Sequence, residues 1–314
     1  MPPVRLIPCV IPLVAAVVGV AACGDDQEQQ GNALSVVATT TQVADMVRVV
    51  GGDRVRVRGL LRPNADPHDY EPRPSDATAL AGARVVFRSG GELDEWLGEL
   101  VESAGGSVGG SARTVTLGDA LPRGGGDGDG DDPHWWHDPR NGQLAARAIA
   151  RELGRADPAG RPSYERRART YAARLARLDR RLAACFASVP EPQRKLVTTH
   201  DAFGRLARRY DIEVVGALIA SRSTQAQPSA RDTRRLVEQI ERERVRAIFP
   251  ESSLEPRLER AVARETGARV GGELWADSLG PPGSGGDSYL RALAANGRTL
   301  VRGMSGGARD CRAG

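Results

Sequence analysis

Residues 163–188, SYERRARTYAARLARLDRRLAACFAS, contain neither glycine nor proline. Their apolar side chains Tyr164, Ala168, Tyr171, Leu175, Leu178 and Leu182 recur three or four positions apart, the spacing that lines one face of an α-helix. The stretch predicts a single helix of roughly 25 residues, about 38 Å long at 1.5 Å per residue. That is longer than an ordinary globular helix, and it lies midway between two blocks of different patterning. It reads as a rigid strut joining two lobes. The arginines between its apolar positions (Arg166, Arg167, Arg174, Arg177, Arg180, Arg181) read as a solvated helix face.

On either side of this strut the chain alternates short β-rich runs with amphipathic stretches, the signature of α/β units built on mostly parallel sheets. Before it, strands are expected near 34–38, 54–60, 84–87 and 113–117, with helices near 42–50, 74–81, 93–103 and 139–153. After it, strands are expected near 195–199, 213–218, 246–249 and 268–273, with helices near 202–210, 230–244, 255–266 and 288–303. The expected fold is α/β in two lobes, each a mostly parallel sheet flanked by helices: an N-terminal lobe at 34–158, a linking helix at 159–189, a C-terminal lobe at 190–309 and a tail at 310–314. A chain of 314 residues suits this division, because single cores stop growing near that length. Residues 104–110 read as a Gly/Ser turn and 124–132 (GGGDGDGDD) as a low-complexity acidic loop.

The first residues are a targeting segment. Arg5 supplies charge, an apolar run extends over 11–22, and the small residues Ala21 and Ala22 precede Cys23. Val20-Ala21-Ala22-Cys23 resembles a bacterial lipobox, which implies a signal peptide at 1–22, acylation of Cys23 and a polar tether at 23–33. The protein would then sit on the extracytoplasmic face of the cell membrane. Cys185 and Cys311 would remain together in an oxidising compartment, where a disulfide between them is expected.

Forty-four basic and 40 acidic side chains leave a net charge of +4, and aromatic residues are only 4% of the chain. No basic cluster is interleaved with stacking aromatics, so nucleic acid is excluded as a partner. Only four histidines are present, and three of them fall where an element ends and a helix begins. His68 lies in NADPHDYEP, His134 in DPHWWHDP and His200 at the end of KLVTTH. Asp277 follows the last expected strand, in ELWADSLGPP. His68 and His200 fall at the carboxyl ends of strands, where open α/β sheets bind ligands. Three neutral imidazoles and a carboxylate form a complete tetrahedral set for a zinc-like cation. Separations of 66, 66 and 77 residues mean that only tertiary structure can collect them.

These motifs, with PSARDTRRLVEQIERERVRAIFPESS and LWADSLGPPGSGGDSYL, in this order, resemble those of the metal-binding lipoproteins that serve zinc and manganese ABC importers. The resemblance covers roughly residues 34–301. It implies two lobes bridged by one helix with limited hinge motion, and a monomer working with an ABC permease and its ATPase. It also implies a divalent metal held by His68, His134, His200 and Asp277. Some manganese-type members place a glutamate at the third position, so His200 favours zinc, with manganese as the alternative.

His137, three residues beyond His134, would join the set if that segment turned helically. Glu251 is either an acceptor for an imidazole N–H or a helix cap with Ser252 or Ser253. Trp135, Trp136 and Trp275 either wall off the metal or fill the core. Asp127, Asp129, Asp131 and Asp132 either attract cations or form a solvated loop. A zinc hydrolase normally keeps a coordination position open for water, and here Asp277 fills the fourth, so no catalytic residue is expected. A surface adhesin stabilised by metal is the remaining class, and it leaves no residue signature.

Overall fold

The computed structural model describes residues 33–103, 112–122 and 132–312. The expected signal peptide, Cys23 and its tether, the 104–110 turn and residues 124–131 of the acidic loop lie outside the described residues. Leu34–Gly314 forms one compact unit.

The first sheet contains β1 (Leu34–Ala38), β2 (Val55–Gly59), β3 (Val85–Arg88) and β4 (Arg113–Thr116), all parallel, in the order β2-β1-β3-β4. Val36 and Val37 of the central strand are buried, whereas β2 alternates half-buried valines with exposed arginines, as an edge strand does. Helices α1 (Thr41–Gly51), α2 (Pro74–Ala81) and α3 (Trp96–Ser103) make the crossovers. Thr40 caps α1 by accepting from the Val43 amide, and Pro74 opens α2 at a position whose N–H has no helical partner.

The second sheet repeats the scheme. β5 (Lys195–His200) pairs with β6 (Glu213–Ile219), and β7 (Ala247–Ile248) pairs with β8 (Arg269–Val270). A parallel bridge from Thr198 to Phe249 joins the pairs, giving the order β6-β5-β7-β8, which matches the first sheet. Around it lie α6 (Gly204–Arg209), α7 (Ala230–Arg242), α8 (Arg257–Thr266) and α9 (Tyr289–Met304). Gly267 ends α8 in the left-handed conformation, φ 71°, that only glycine adopts without strain.

Between the sheets, α4 (Pro139–Ala156) turns through Pro158–Gly160 into α5 (Arg161–Ala187), a 27-residue helix. This is the expected strut, with Tyr164, Tyr171, Leu175 and Leu182 buried along one face. α9 crosses it closely enough that a Cβ on Gly297 would lie 2.2 Å from Leu182 Cδ2. One apolar cluster runs from Val36 and Phe87 through Ile149 and Leu175 to Leu196 and Phe249. The interior is therefore continuous through the strut, and a wide opening of one sheet from the other would expose part of this core to water. Cys185 and Cys311 are disulfide-bonded with Cα atoms 5.3 Å apart, tying the chain beyond α9 to the end of α5.

Several expected elements come out shorter, among them the 246–249 strand at Ala247–Ile248 and the 202–210 helix at Gly204–Arg209, and for two the cause is local. The 93–103 helix begins only at Trp96, because Asp94 accepts hydrogen bonds from the Ser89 and Gly90 amides and the Thr39 hydroxyl, which holds residues 91–94 in a tight turn. The 268–273 strand shrinks to two exposed residues. Gly272 follows at φ 107°, and Gly271 packs so tightly on Phe249 that a Cβ would lie 2.6 Å from its ring.

Candidate metal centre

Each of the four expected ligands arrives from a different segment. His68 lies between β2 and α2, His134 in the residues leading to α4, His200 at the last position of β5, and Asp277 between β8 and α9. Their donor atoms all lie within 4.8 Å of one another. Asp277 Oδ2 is 3.3 Å from His68 Nε2 and 3.2 Å from His200 Nε2. Asp277 Oδ1 is 3.4 Å from His134 Nε2, and the Nε2 atoms of His134 and His200 are also 3.4 Å apart. A tetrahedral site with bonds of about 2.0–2.1 Å has donor-to-donor edges of about 3.3–3.4 Å.

All four side chains are at most 2% exposed. His68 Nε2 and both carboxylate oxygens of Asp277 are buried without a hydrogen-bond partner. Buried polar atoms are rarely left so, and here a cation at the centre would satisfy all three. The donor set therefore fits a divalent metal on its geometry.

Two imidazoles are aimed by carboxylates in the same way. Glu251 Oε1 accepts from the His200 amide at 3.0 Å and faces its Nδ1 at 2.7 Å. Asp132 Oδ1 accepts from the His134 amide at 3.0 Å and faces its Nδ1 at 2.9 Å. A carboxylate at Nδ1 fixes the proton there and leaves the Nε2 lone pair facing the centre. Of the two readings of Glu251, the hydrogen bonds match the imidazole acceptor. The role of Asp132 escaped the sequence reading, which placed it in the acidic loop; its only local signal is the D-x-H spacing.

The His68 loop is held differently. Asp66 Oδ1 accepts from the His68 amide at 2.9 Å, and Asp66 Oδ2 accepts from the Thr224 hydroxyl at 2.6 Å, joining the loop to the segment after β6. Around Asp277, the Ala276 carbonyl accepts from Trp136 Nε1 at 2.9 Å and from Gln42 Nε2 at 3.3 Å, and Thr41 Oγ1 accepts from the Leu279 amide at 2.8 Å. Thr41 and Gln42, at the start of α1, were not anticipated.

His137 stays out of the cluster. The tight turn Trp135–His137 directs its ring against Phe203, centroids 4.2 Å apart, and burial pushes its pKa down to about 3, so it is neutral. Trp136 packs edge-on against His134, whereas Trp135 donates to Ser89 and Trp275 packs on Gly286. Trp136 alone of the three stands beside a candidate ligand.

Electrostatics favour a charged arrangement. Burial would lower the pKa of His200, but the Asp277 and Glu251 carboxylates outweigh it and hold the value well above the ordinary one. Burial would raise that of Asp277, but the His200 and His134 imidazoles hold it well below the usual carboxylate range. Burial pushes Glu251 up against the opposing pull of His200. For Asp132, burial is outweighed by the hydrogen bond and charge of His134, which hold it low.

A family model described as zinc-uptake complex component A, periplasmic, matches residues 36–303. The metal ABC transporter substrate-binding lipoprotein ScbA of Streptococcus cristatus is 29% identical over 302 residues, covering 93% of this chain and 97% of that protein. The manganese ABC transporter substrate-binding lipoprotein PsaA of Streptococcus anginosus is 28% identical, with 93% and 97% covered. Among solved structures, the periplasmic zinc binding protein TroA from Treponema pallidum matches with a TM-score of 0.78 at 28% identity, covering 86% of this chain and 98% of that one.

Proposed function

The chain belongs to the zinc-uptake complex component A family of periplasmic proteins, and on that premise we propose that His68, His134, His200 and Asp277 capture one divalent metal ion, zinc in preference to manganese, for delivery to a membrane permease. It is a substrate-binding protein of a metal ABC transporter, and the metal is its cargo rather than a catalytic cofactor. The observation that carries the ligand assignment is the convergence of four buried donors, all within 4.8 Å of one another, with both Asp277 oxygens and His68 Nε2 lacking any hydrogen-bond partner. Three nitrogens and one carboxylate suit zinc better than manganese, which gains from oxygen-rich sets.

Capture follows from how each ligand is held. His134 and His200 are aimed by Asp132 and Glu251, and Asp277 sits in a loop pinned by Trp136, Gln42 and Thr41. His68 completes the set from a loop tied to the second half by the Asp66 to Thr224 hydrogen bond and by Asn64, which donates to the Leu279 and Ser252 carbonyls. Entry of the ion draws His68 Nε2 onto it, and docking on the permease releases the ion by parting this loop from the other three ligands. The partners are a permease with its ATPase. Attachment to the outer face of the cell membrane is assigned to a lipid on Cys23, supported by the lipobox and by relatives named lipoproteins. No helix among the described residues is long and apolar enough to cross a membrane.

The test is calorimetric titration of metal-free protein with zinc and manganese in the presence of a competing chelator. One zinc per chain should bind more tightly than manganese, and His200→Ala should lose at least tenfold in zinc affinity. Wild-type zinc affinity in His200→Ala would overturn the ligand assignment, whereas tighter manganese binding by the wild type would overturn only the choice of metal.

A further inference from the structure

The charge of the chain is concentrated on its long helix. α5 carries eight arginines against Glu165 and Asp179, a net of +6, whereas the whole chain has +4, leaving −2 for everything else. Asp179 is buried and bonded to Arg209, and Glu165 lies 3.8 Å from Arg169 at the edge of the face. Arg166, Arg169, Arg174, Arg177, Arg180 and Arg181 are all exposed, opposite the buried tyrosines and leucines. They extend over about 22 Å of helix.

α9 continues the same surface. It contributes Arg291, Arg298 and Arg302 and no acidic residue, and Arg291 and Arg298 line one groove with Arg174, Arg177 and Arg181. The nearby acid, Asp287, is paired with Arg291 at 3.0 Å. Arg177, Arg180, Arg181 and Arg298 have no ion-pair partner among the described residues. A single-signed face of this kind costs stability through self-repulsion, and an apposed negative surface offsets that cost.

We propose that the outward face of α5, continued by α9, rests on an anionic phospholipid surface. Proximity is supplied by the lipid on Cys23, so in the cell this inference rests on the anchoring read above. The lipid holds only the end of a polar tether, and a basic patch adds an electrostatic contact between the folded unit itself and the bilayer. Each arginine near an anionic bilayer contributes about a fivefold gain in partitioning, within a Debye length of about 8 Å at physiological salt. None of the face arginines belongs to the metal centre, so occupation of the bilayer leaves the ligands intact.

The experiment uses residues 24–314, which contain the whole compact unit and no acylation site, so its outcome does not depend on the anchor. Co-sedimentation is measured with phosphatidylcholine vesicles and with vesicles containing phosphatidylglycerol, at low and physiological salt, and with inorganic phosphate at matched ionic strength. Binding should require phosphatidylglycerol, weaken with salt, and respond to phosphate no more than to chloride. The variant Arg177→Gln, Arg180→Gln, Arg181→Gln, Arg298→Gln should bind at least tenfold more weakly, whereas lysine at the same four positions should retain binding. Zinc affinity should be unchanged in both, which reports that they fold. Equal binding to neutral vesicles, an unaffected glutamine variant, or displacement specific to phosphate would each overturn the proposal. So would capture by immobilised polyglutamate without vesicle binding, which would reassign the face to an acidic protein.

Discussion

Glu251 offers the sharpest test of how the centre is built. Its Oε1 takes both the backbone N–H of His200 at 3.0 Å and the ring Nδ1 at 2.7 Å, in a site 1% exposed. Glu251→Ala leaves two buried donors without a partner, each costing about 1–3 kcal/mol. The ring also loses the carboxylate that orients it and raises its basicity, which lowers metal affinity by about 10- to 100-fold. The sign with pH is specific. Glu251 also favours the protonated His200 that competes with the metal, so its removal reduces proton competition and the loss should be larger at pH 8 than at pH 6. Glu251→Gln keeps an acceptor at the same place and should lose less than alanine at both values. Chelator competition gives the affinities and thermal melts the stabilities. Unchanged zinc affinity of Glu251→Ala at pH 8, with a lowered melting temperature, would refute the reasoning by reducing Glu251 to a packing residue.

Because the Asp277 and Glu251 carboxylates hold the pKa of His200 well above its ordinary value, metal binding at pH 7 should release close to one proton from it, measurable by calorimetry in buffers of different ionisation enthalpy. The same shift makes the metal-free protein lose stability as pH rises from about 6.5 through the folded value of His200. The depressed value of Asp277 contributes stability at neutral pH that is lost as pH falls through its folded value, so metal-free melting temperatures should peak between the two. Thr224→Val removes the donor to Asp66 and should speed zinc release several-fold in stopped-flow chelation while changing the melting temperature little. The Cys185–Cys311 bond closes 126 residues of chain, and Cys311→Ser should cost about 3–5 kcal/mol in denaturant unfolding. Residues 24–314, unfolded without reductant, should show no free thiol.

The repeating α/β order and the strut were legible because they rest on local signals: helical periodicity, Pro74 and Pro139 at helix starts, and runs of buried valine. The four candidate ligands were legible for a related reason. Each sits beside a strand end or a helix start, and histidine is scarce enough in this chain to stand out. What stayed hidden depends on contacts that no window of sequence contains. Gln42 reaches Ala276 across 234 residues, and no spacing rule anticipates the Asp66 to Thr224 bond, which spans 158. Asp132 was hidden because it closes a run of similar aspartates, and only its position relative to the folded His134 ring distinguishes it. The shortness of β8 follows from the close packing of Gly271 on Phe249, which patterning at 268–273 does not reveal.

The same geometry bears on the choice of metal. A manganese ion gains from six oxygen-rich ligands, whereas this cluster presents three ring nitrogens and one carboxylate, whose second oxygen gives at most a fifth donor. A sixth would have to come from another polar atom of the protein or from water. Glu251 is engaged through Oε1 at the Nδ1 edge of His200, while the centre lies at the Nε2 edge of the same ring. His137 is turned onto Phe203, and Asp132 is committed to the Nδ1 edge of His134. Trp136 packs against His134 with its indole N–H spent on Ala276. Asp132 Oδ1 and Glu251 Oε1 are thus aimed at the rings rather than at the ion, and the proposed preference for zinc, a cation content with four or five ligands at about 2.0–2.2 Å, rests on this donor set.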